Sequence, residues 1–177
     1  MTVLTTDRLI LRDNIEADLP HLHRLLYDKR NMYFLDELQT NTVEETAANL
    51  QMAMANADGH YFAVLEKETG VYMGQIGYTE AGDVAAVHLG YFILPEFAGK
   101  GYTTEAVKRA CAFAFREDGR ARITTGCYKE NTASERVMVK AGFRKVDAQP
   151  KETLHDGVMK ERLAYALIHE DSTIGRK

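Results

Sequence analysis

Between His60 and Ala106 the hydrophobic pattern changes period, and that change limits the possible folds more than any other feature of the chain. Tyr61-Phe62-Ala63-Val64-Leu65 is a short apolar run followed by the turn residues Glu68-Thr69-Gly70. Val71 to Thr79 is a second run closed by Ala81-Gly82-Asp83, and Val84 to Leu94 is a third. Strands joined by turns this short pair antiparallel, because a parallel pair needs a crossover of a dozen residues or more. From Gly101 to about Arg116 the spacing turns helical, with Val107, Ala110, Cys111, Ala114 and Phe115 on one face. An antiparallel meander therefore feeds directly into a strand-to-helix unit.

The flanks complete the pattern. Arg8 to Arg12 is an aliphatic strand, and Asn14 is placed to cap a helix carrying Leu19, Leu22, Leu25 and Leu26 through about Tyr27. Arg30 to Asn41 has no period and reads as loop. Thr42-Val43-Glu44-Glu45 is a capping box that opens a second helix to about Ala57. Ala121 to Tyr128 is a strand, Asn131 to Ala141 a short helix, Gly142-Phe143 opens another strand, and Leu163, Tyr165 and Leu167 alternate in a last one. The order βααβββαβαββ predicts a mixed α/β fold: a mostly antiparallel central sheet with helices on both faces. Three prolines and no Gly/Ser linker predict one domain over residues 1–177.

Composition narrows the function classes. At 45% hydrophobic and 27% charged, the chain is neither disordered nor fibrous. Its 22 basic and 26 acidic residues give a net charge of −4 with no Lys/Arg block, so neither nucleic acid nor an anionic membrane is an expected partner. A local basic pocket for one anionic ligand stays compatible with that balance. The N-terminus lacks the charged and apolar regions of a signal peptide. Cys111 and Cys127 sit in apolar stretches without metal-ligand spacing, which predicts buried, reduced thiols, a cytoplasmic location and no metal. His21 and His23 are two apart on a helix and do not share a face, so no metal pair is expected there. Met52 and Met54 read as helix packing, and Arg116-Glu117-Asp118 and Lys129-Glu130 as solvated charge.

The chemistry concentrates in Leu89-Gly90-Tyr91-Phe92-Ile93-Leu94-Pro95-Glu96-Phe97-Ala98-Gly99-Lys100-Gly101-Tyr102-Thr103-Thr104-Glu105-Ala106. A strand runs through a Gly-x-Gly turn into a helix, whose first backbone amides are unpaired and whose dipole favours an anion. Gly99 and Gly101 leave room for one, and Thr103 and Thr104 add hydroxyls. Neither familiar nucleotide loop fits: Lys100 is followed by Gly101 rather than Ser or Thr, and Thr104 stands where a dinucleotide loop needs glycine. Taken alone, the loop is equally a ligand-free connection. A second constellation follows the strand ending at Tyr128: Asn131-Thr132-Ala133-Ser134, then Gly142-Phe143. Asn131 suits a helix cap, and Gly142 the residue after the helix end.

With these segments in hand, the chain resembles the GNAT superfamily of acyl-CoA-dependent N-acetyltransferases, in particular the branch that includes ribosomal-protein-alanine acetyltransferases. The resemblance rests on Gly90-Tyr91, Pro95-Glu96, Gly99-Lys100-Gly101-Tyr102-Thr103-Thr104-Glu105-Ala106, Asn131-x-x-Ser134 with Gly142-Phe143, and the opening Thr6-Asp7-Arg8-Leu9-Ile10-Leu11-Arg12. It implies a GNAT-type sheet and acetyl-CoA as cofactor. It further implies a strand that splays from its neighbour at a bulge, with Phe92, Ile93 and Leu94 meeting the pantetheine arm. The loop Ala98, Gly99, Lys100, Gly101, Tyr102, Thr103 and Thr104 would hold the pyrophosphate, and Asn131 would contact the cofactor. Ala98 and Thr103 depart from the family's usual loop residues. Met138 stands where many relatives have a tyrosine acid, which moves that role toward Ser134 or a water it holds.

Acyl transfer to an amine needs a base, an oxyanion donor and mild acid help for the thiolate, whose ordinary pKa is about 8.5. Ser134 is the expected acid, His88 the expected base, and a backbone amide near Phe92 the expected oxyanion donor. Glu37 and Glu80 are weaker base candidates. The acceptor would be a small-molecule amine or a protein N-terminus, walled by residues 30–42 and the turn Pro150 to Asp156, on a monomer or homodimer. A non-catalytic acyl-CoA-binding sensor or scaffold is the alternative reading.

Overall fold

The computed structural model describes residues 1–56, 59–82, 85–146, 151–153 and 157–169. Its elements are β1 (Val3–Thr5), β2 (Leu9–Asp13), α1 (Leu19–Tyr27), α2 (Val43–Ala55), β3 (Gly59–Glu66), β4 (Tyr72–Glu80), β5 (Ala86–Ile93), α3 (Tyr102–Arg116), β6 (Arg122–Tyr128), α4 (Thr132–Lys140), β7 (Arg144–Lys145), β8 (Lys151–Thr153) and β9 (Met159–Ile168). The strands form one sheet in the order β1-β2-β3-β4-β5-β6-β9-β7, and β8 pairs off this path with β9. Every pairing is antiparallel except β5 with β6. The expected mixed, mostly antiparallel sheet is present, with two strands, β1 and β8, added to the order read from sequence.

Alternation along the strands sorts the side chains into two cores. Phe62, Val64, Ile76, Tyr78, Val87 and Leu89 pack with α3 and α4 on one face. Ala63 and Tyr72 pack with α1 and α2 on the other. Helices thus cover both faces, as βα connections require. The β3–β4 register shifts between Val64 and Leu65, leaving Met73 as an extra residue in β4. The Leu94 amide donates to the Met73 carbonyl at 2.8 Å, which ties this bulge to the end of β5. The β4–β5 ladder itself runs without a shift from Gly74↔Ile93 to Glu80↔Val87. The bulge thus lies in β4, beside the end of β5.

Three local readings need correction. Asn14 caps no helix: it is buried, donates to the Tyr61 carbonyl at 2.9 Å and accepts from Gln75 at 3.1 Å. The α1 helix begins later, at Leu19, with Pro20 in its first turn, where the missing N–H costs nothing. Asp118 is not solvated charge but takes the Tyr78 hydroxyl at 3.0 Å and Arg120 at 2.8 Å. Met52 is 65% exposed rather than packed. Thr42 caps α2 as expected, its hydroxyl accepting from the Glu45 amide at 3.1 Å, but the box is not closed: the Glu45 carboxylate accepts from the Asn41 amide at 2.6 Å rather than from that of Thr42. Cys111 is buried, and burial pushes its thiol up to about 12. Among the described residues no helix is long and apolar enough to cross a membrane. The turn Pro150 to Asp156 lies largely outside the described residues.

Candidate active site

The parallel β5–β6 ladder lasts three residues, Ala86↔Arg122 to His88↔Thr124, and then the strands part. The Thr125 hydroxyl donates to the Leu89 carbonyl at 2.9 Å and closes the base of the gap. A cleft of about 920 Å³ occupies that gap and reaches both faces of the sheet. Backbone direction decides what the gap receives. The Leu89 carbonyl points toward β6, whereas the Leu94 amide points back at β4 and the Phe92 carbonyl abuts Gly74 of that strand. Groups two apart in a strand point the same way, so the Tyr91 and Ile93 amides face the gap and those of Phe92 and Leu94 do not. Of the three strand positions named from sequence, Ile93 alone turns its backbone to the gap. Phe92 lines the cleft with its side chain, and the Leu94 side chain is buried in the α1–α2 core.

At one end of the cleft lies the start of α3. Gly99 and Gly101 have φ of +76° and +84°, left-handed values that side chains other than glycine rarely adopt. A Cβ at Gly99 would meet nothing within 4 Å, and no side chain caps the helix. Ala98, Gly99, Gly101, Thr103 and Thr104 line the cleft. Uncapped amides at a dipole's positive end, with open space above them, fit a pyrophosphate. Arg136 and Lys140 of α4 line the cleft as well, the local basic patch that an acidic chain can still hold. Lys100 and Tyr102 turn their side chains elsewhere. The Lys100 ammonium lies 5.9 Å from the centre of the Phe97 ring, and the Tyr102 hydroxyl reaches Glu66 at 3.3 Å.

The loop is held from behind. Glu105 accepts from the Thr6 hydroxyl at 2.6 Å, the Arg8 amide at 3.0 Å and the Arg8 guanidinium at 2.8 Å, while Arg8 also donates to the Lys100 carbonyl at 3.2 Å. The opening motif Thr6-Asp7-Arg8 thus meets the loop motif ending in Glu105. Both motifs were visible in the sequence, but their contact was not.

His88 and Ser134 approach the gap from opposite faces. His88 shares its face with Gly90 and Phe92 and borders the cleft on the α1–α2 side, rather than pointing away from it. Thr124 donates to the Val87 carbonyl at 3.2 Å, so its oxygen accepts from His88 Nδ1–H at 3.3 Å. That tautomer leaves Nε2 with its lone pair free. Surrounding protein, and then the charge of Arg162, hold the imidazole pKa below its ordinary 6.5. Ser134 stands in the first turn of α4, where Asn131 caps the helix by accepting the Ser134 amide at 3.2 Å. Its Oγ lies 2.9 Å from the Tyr91 hydroxyl, which also donates to the Ser134 carbonyl at 3.2 Å. Burial keeps Tyr91 protonated by raising its pKa. Sequence reasoning missed Tyr91 as a functional group, because parity alone makes it a core residue. Cys127 borders the cleft beside Ser134, and burial raises its thiol to about 11.

The other sequence candidates divide. Glu37 borders the cleft, and the surrounding wall raises its carboxyl pKa. Glu80 does not border it and faces Arg120 at 3.5 Å. Met138 is fully buried in the α3–α4 core and does not line the cleft.

A sheet that opens between two parallel strands, above a glycine-lined helix start, makes a slot for an elongated ligand with an anionic end, and the family match places the chain among the acyltransferases. The chain belongs to the GNAT acetyltransferase family: the Acetyltransferase (GNAT) domain model matches residues 8–144. It is similar to the uncharacterized N-acetyltransferase YoaA of Bacillus subtilis, 23% identical with 94% of this chain and 96% of that one covered. A GNAT-family acetyltransferase structure from Bacillus anthracis matches with TM-score 0.85 and 26% identity over 94% of this chain and 98% of that one. The fold also matches spermidine N-acetyltransferase from Vibrio cholerae, solved with CoA and spermine, with TM-score 0.83 and 18% identity over 92% and 96%.

Proposed function

We propose that acetyl-CoA is the acyl donor, a primary amine the acceptor, and that transfer is direct, with His88 as base and Ser134 as acid. The observation that carries this reading is the continuity of one cleft from the α3 start, through the gap, to the α1–α2 face. When bound, the cofactor supplies the activated acyl group as a thioester. The amides of α3 and the side chains of Arg136 and Lys140 would hold its phosphates. The Tyr91 and Ile93 amides face the gap and would stabilise charge developing on the thioester carbonyl oxygen.

His88 accepts a proton from the incoming amine. Its lowered pKa keeps it neutral at pH 7, which matches an α-amine of pKa about 7.7–8.0 better than a lysine amine near 10.4. Ser134 would donate to the departing sulfur from the opposite face, and the Tyr91 hydroxyl beside it would relay a proton from solvent to the serine, ending protonated as it began. Base and acid on opposite faces keep the two proton transfers apart.

The test is isothermal titration of acetyl-CoA, with CoA and ATP as controls, on wild type and Gly101→Trp, followed by thiol release with an amine panel. Binding of acetyl-CoA that ATP does not share and Gly101→Trp abolishes is the expected result. No binding overturns the cofactor assignment. Binding without thiol release from any amine leaves a non-catalytic acyl-CoA module and overturns the transferase.

A further inference from the structure

The α1–α2 half of the cleft has an unusual balance of charge and bulk. Its floor carries glycines: Gly77 and Gly90 are register partners in β4 and β5, and Gly126 lies across the gap in β6; Gly90 opens on empty space, while the Tyr61 ring lies against Gly77. Its wall is apolar, formed by Leu22, Leu26, Met32, Phe34, Leu35 and Met52. Among the described residues, the carboxylate, imidazole and guanidinium that line this half are those of Glu37, His88 and Arg162. Arg162 projects from β9, opposite Tyr128 in register. Its guanidinium lies over the Tyr128 ring at 5.4 Å, and one terminal nitrogen is 3.7 Å from where a Gly126 Cβ would be. A Cβ at Gly126 would only touch the guanidinium; its tight neighbour would be the Leu163 carbonyl, at 2.8 Å.

Thr124, which holds His88, and Gly126, which lies under Arg162, are two residues apart on one face of β6. The strand rise sets these two anchor positions about 7 Å apart. An α-amino group and its own carboxylate, with a hydrogen bond at each end, bridge such an interval. Arginine matches a carboxylate with two parallel N–H donors, and its five donors leave room for one beside its present contacts. A polycation finds the wrong field here, since one carboxylate faces a guanidinium and an imidazole. The apolar wall then takes whatever the α-carbon carries.

We infer that the acceptor is an α-amino acid with an apolar side chain, or an analogue of one, its carboxylate held by Arg162 and its amine presented to His88. This rests on the transferase reading above. In the reaction the thioester C–S bond breaks as the amide C–N bond forms. Of the two protons lost by the ammonium group, one ends on the CoA thiol and one reaches solvent through His88.

The experiment compares thiol release with L-phenylalanine, L-phenylalaninamide, 2-phenylethylamine and spermidine, with mass spectrometry of the products. The acid should exceed both the amide and the decarboxylated amine in kcat/KM by about 10- to 100-fold, the range of a charge-assisted contact. Arg162→Met should collapse the acid-to-amine ratio toward one, and Arg162→Lys should restore part of it, with melting curves to confirm folding. Preference for the amide, for 2-phenylethylamine or for spermidine overturns this inference while leaving the transferase standing. Equal losses on every acceptor in Arg162→Met also overturn it. No release with any amine removes both readings together.

Discussion

Two glycines paired across β4 and β5 should respond in opposite ways to the same substitution. At Gly77 a Cβ would stand 2.5 Å from a Tyr61 ring carbon and 2.8 Å from the His60 carbonyl, which is backbone and cannot move aside cheaply. At its partner Gly90 a Cβ would meet nothing within 4 Å, because the space above it is the cleft. Gly77→Val overpacks the site, a cost of about 1–3 kcal/mol, which lowers Tm by about 2–12 °C in a domain of this size. Gly90→Val relieves the entropic cost of glycine in a strand, about 0.5–1 kcal/mol, so its Tm should hold or rise by about 1–4 °C. Its isopropyl group, however, occupies the acceptor side beside His88. Acetyl transfer should fall about 100-fold or more, the scale of a displaced reactant. Differential scanning fluorimetry, acetyl-CoA titration and thiol release measure the three quantities. A Gly90→Val protein with unchanged kcat/KM for its amine would refute the acceptor path over this strand; one that melts early would refute the open space.

The acid pair gives a second expectation. Ser134→Ala should lower kcat about 100-fold, and Tyr91→Phe should lower it less, with acetyl-CoA affinity retained in both. A Tyr91→Phe enzyme at full kcat would exclude the hydroxyl relay. A third concerns pH: protonated His88 cannot act as base, and its pKa is held below 6.5, so kcat should be flat near neutrality and fall on the acid side of 6.5. His88→Gln should lose this limb along with most of the rate, and a limb that survives in the variant assigns the base elsewhere.

The sequence revealed whatever depended on local periodicity. The meander, the helix after Gly101 and the cap at Thr42 all rest on contacts within a few residues. β1 escaped notice because Val3–Thr5 contributes one inward side chain, Leu4, too little for a period to register. Asn14 misled because a capping residue and a buried amide look alike until Tyr61 and Gln75 are brought to it. In the site, the glycine loop and Asn131-x-x-Ser134 were legible as motifs. Tyr91 with Ser134, 43 residues apart, and Arg162 over Gly126 were not, since their meaning arises only when β5, β6, α4 and β9 come together. Backbone direction was equally hidden: which of Tyr91, Phe92, Ile93 and Leu94 faces the gap depends on the partner of the Leu94 amide.

The clasp of Thr6 and Arg8 on Glu105 joins the first strands to the helix start across 97 residues of chain. Whatever occupies the uncapped end of α3 therefore also steadies the edge of the sheet where the chain begins. A ligand at a hundred times its Kd adds about 2.7 kcal/mol to the folded state. Through the clasp, part of that energy reaches β1 and β2, whose amides would exchange with solvent more slowly in the loaded protein. The N-terminal residues, remote from the α3 start in sequence, would thereby act as a tether on any ligand held there, and trimming them should be felt first as its faster escape.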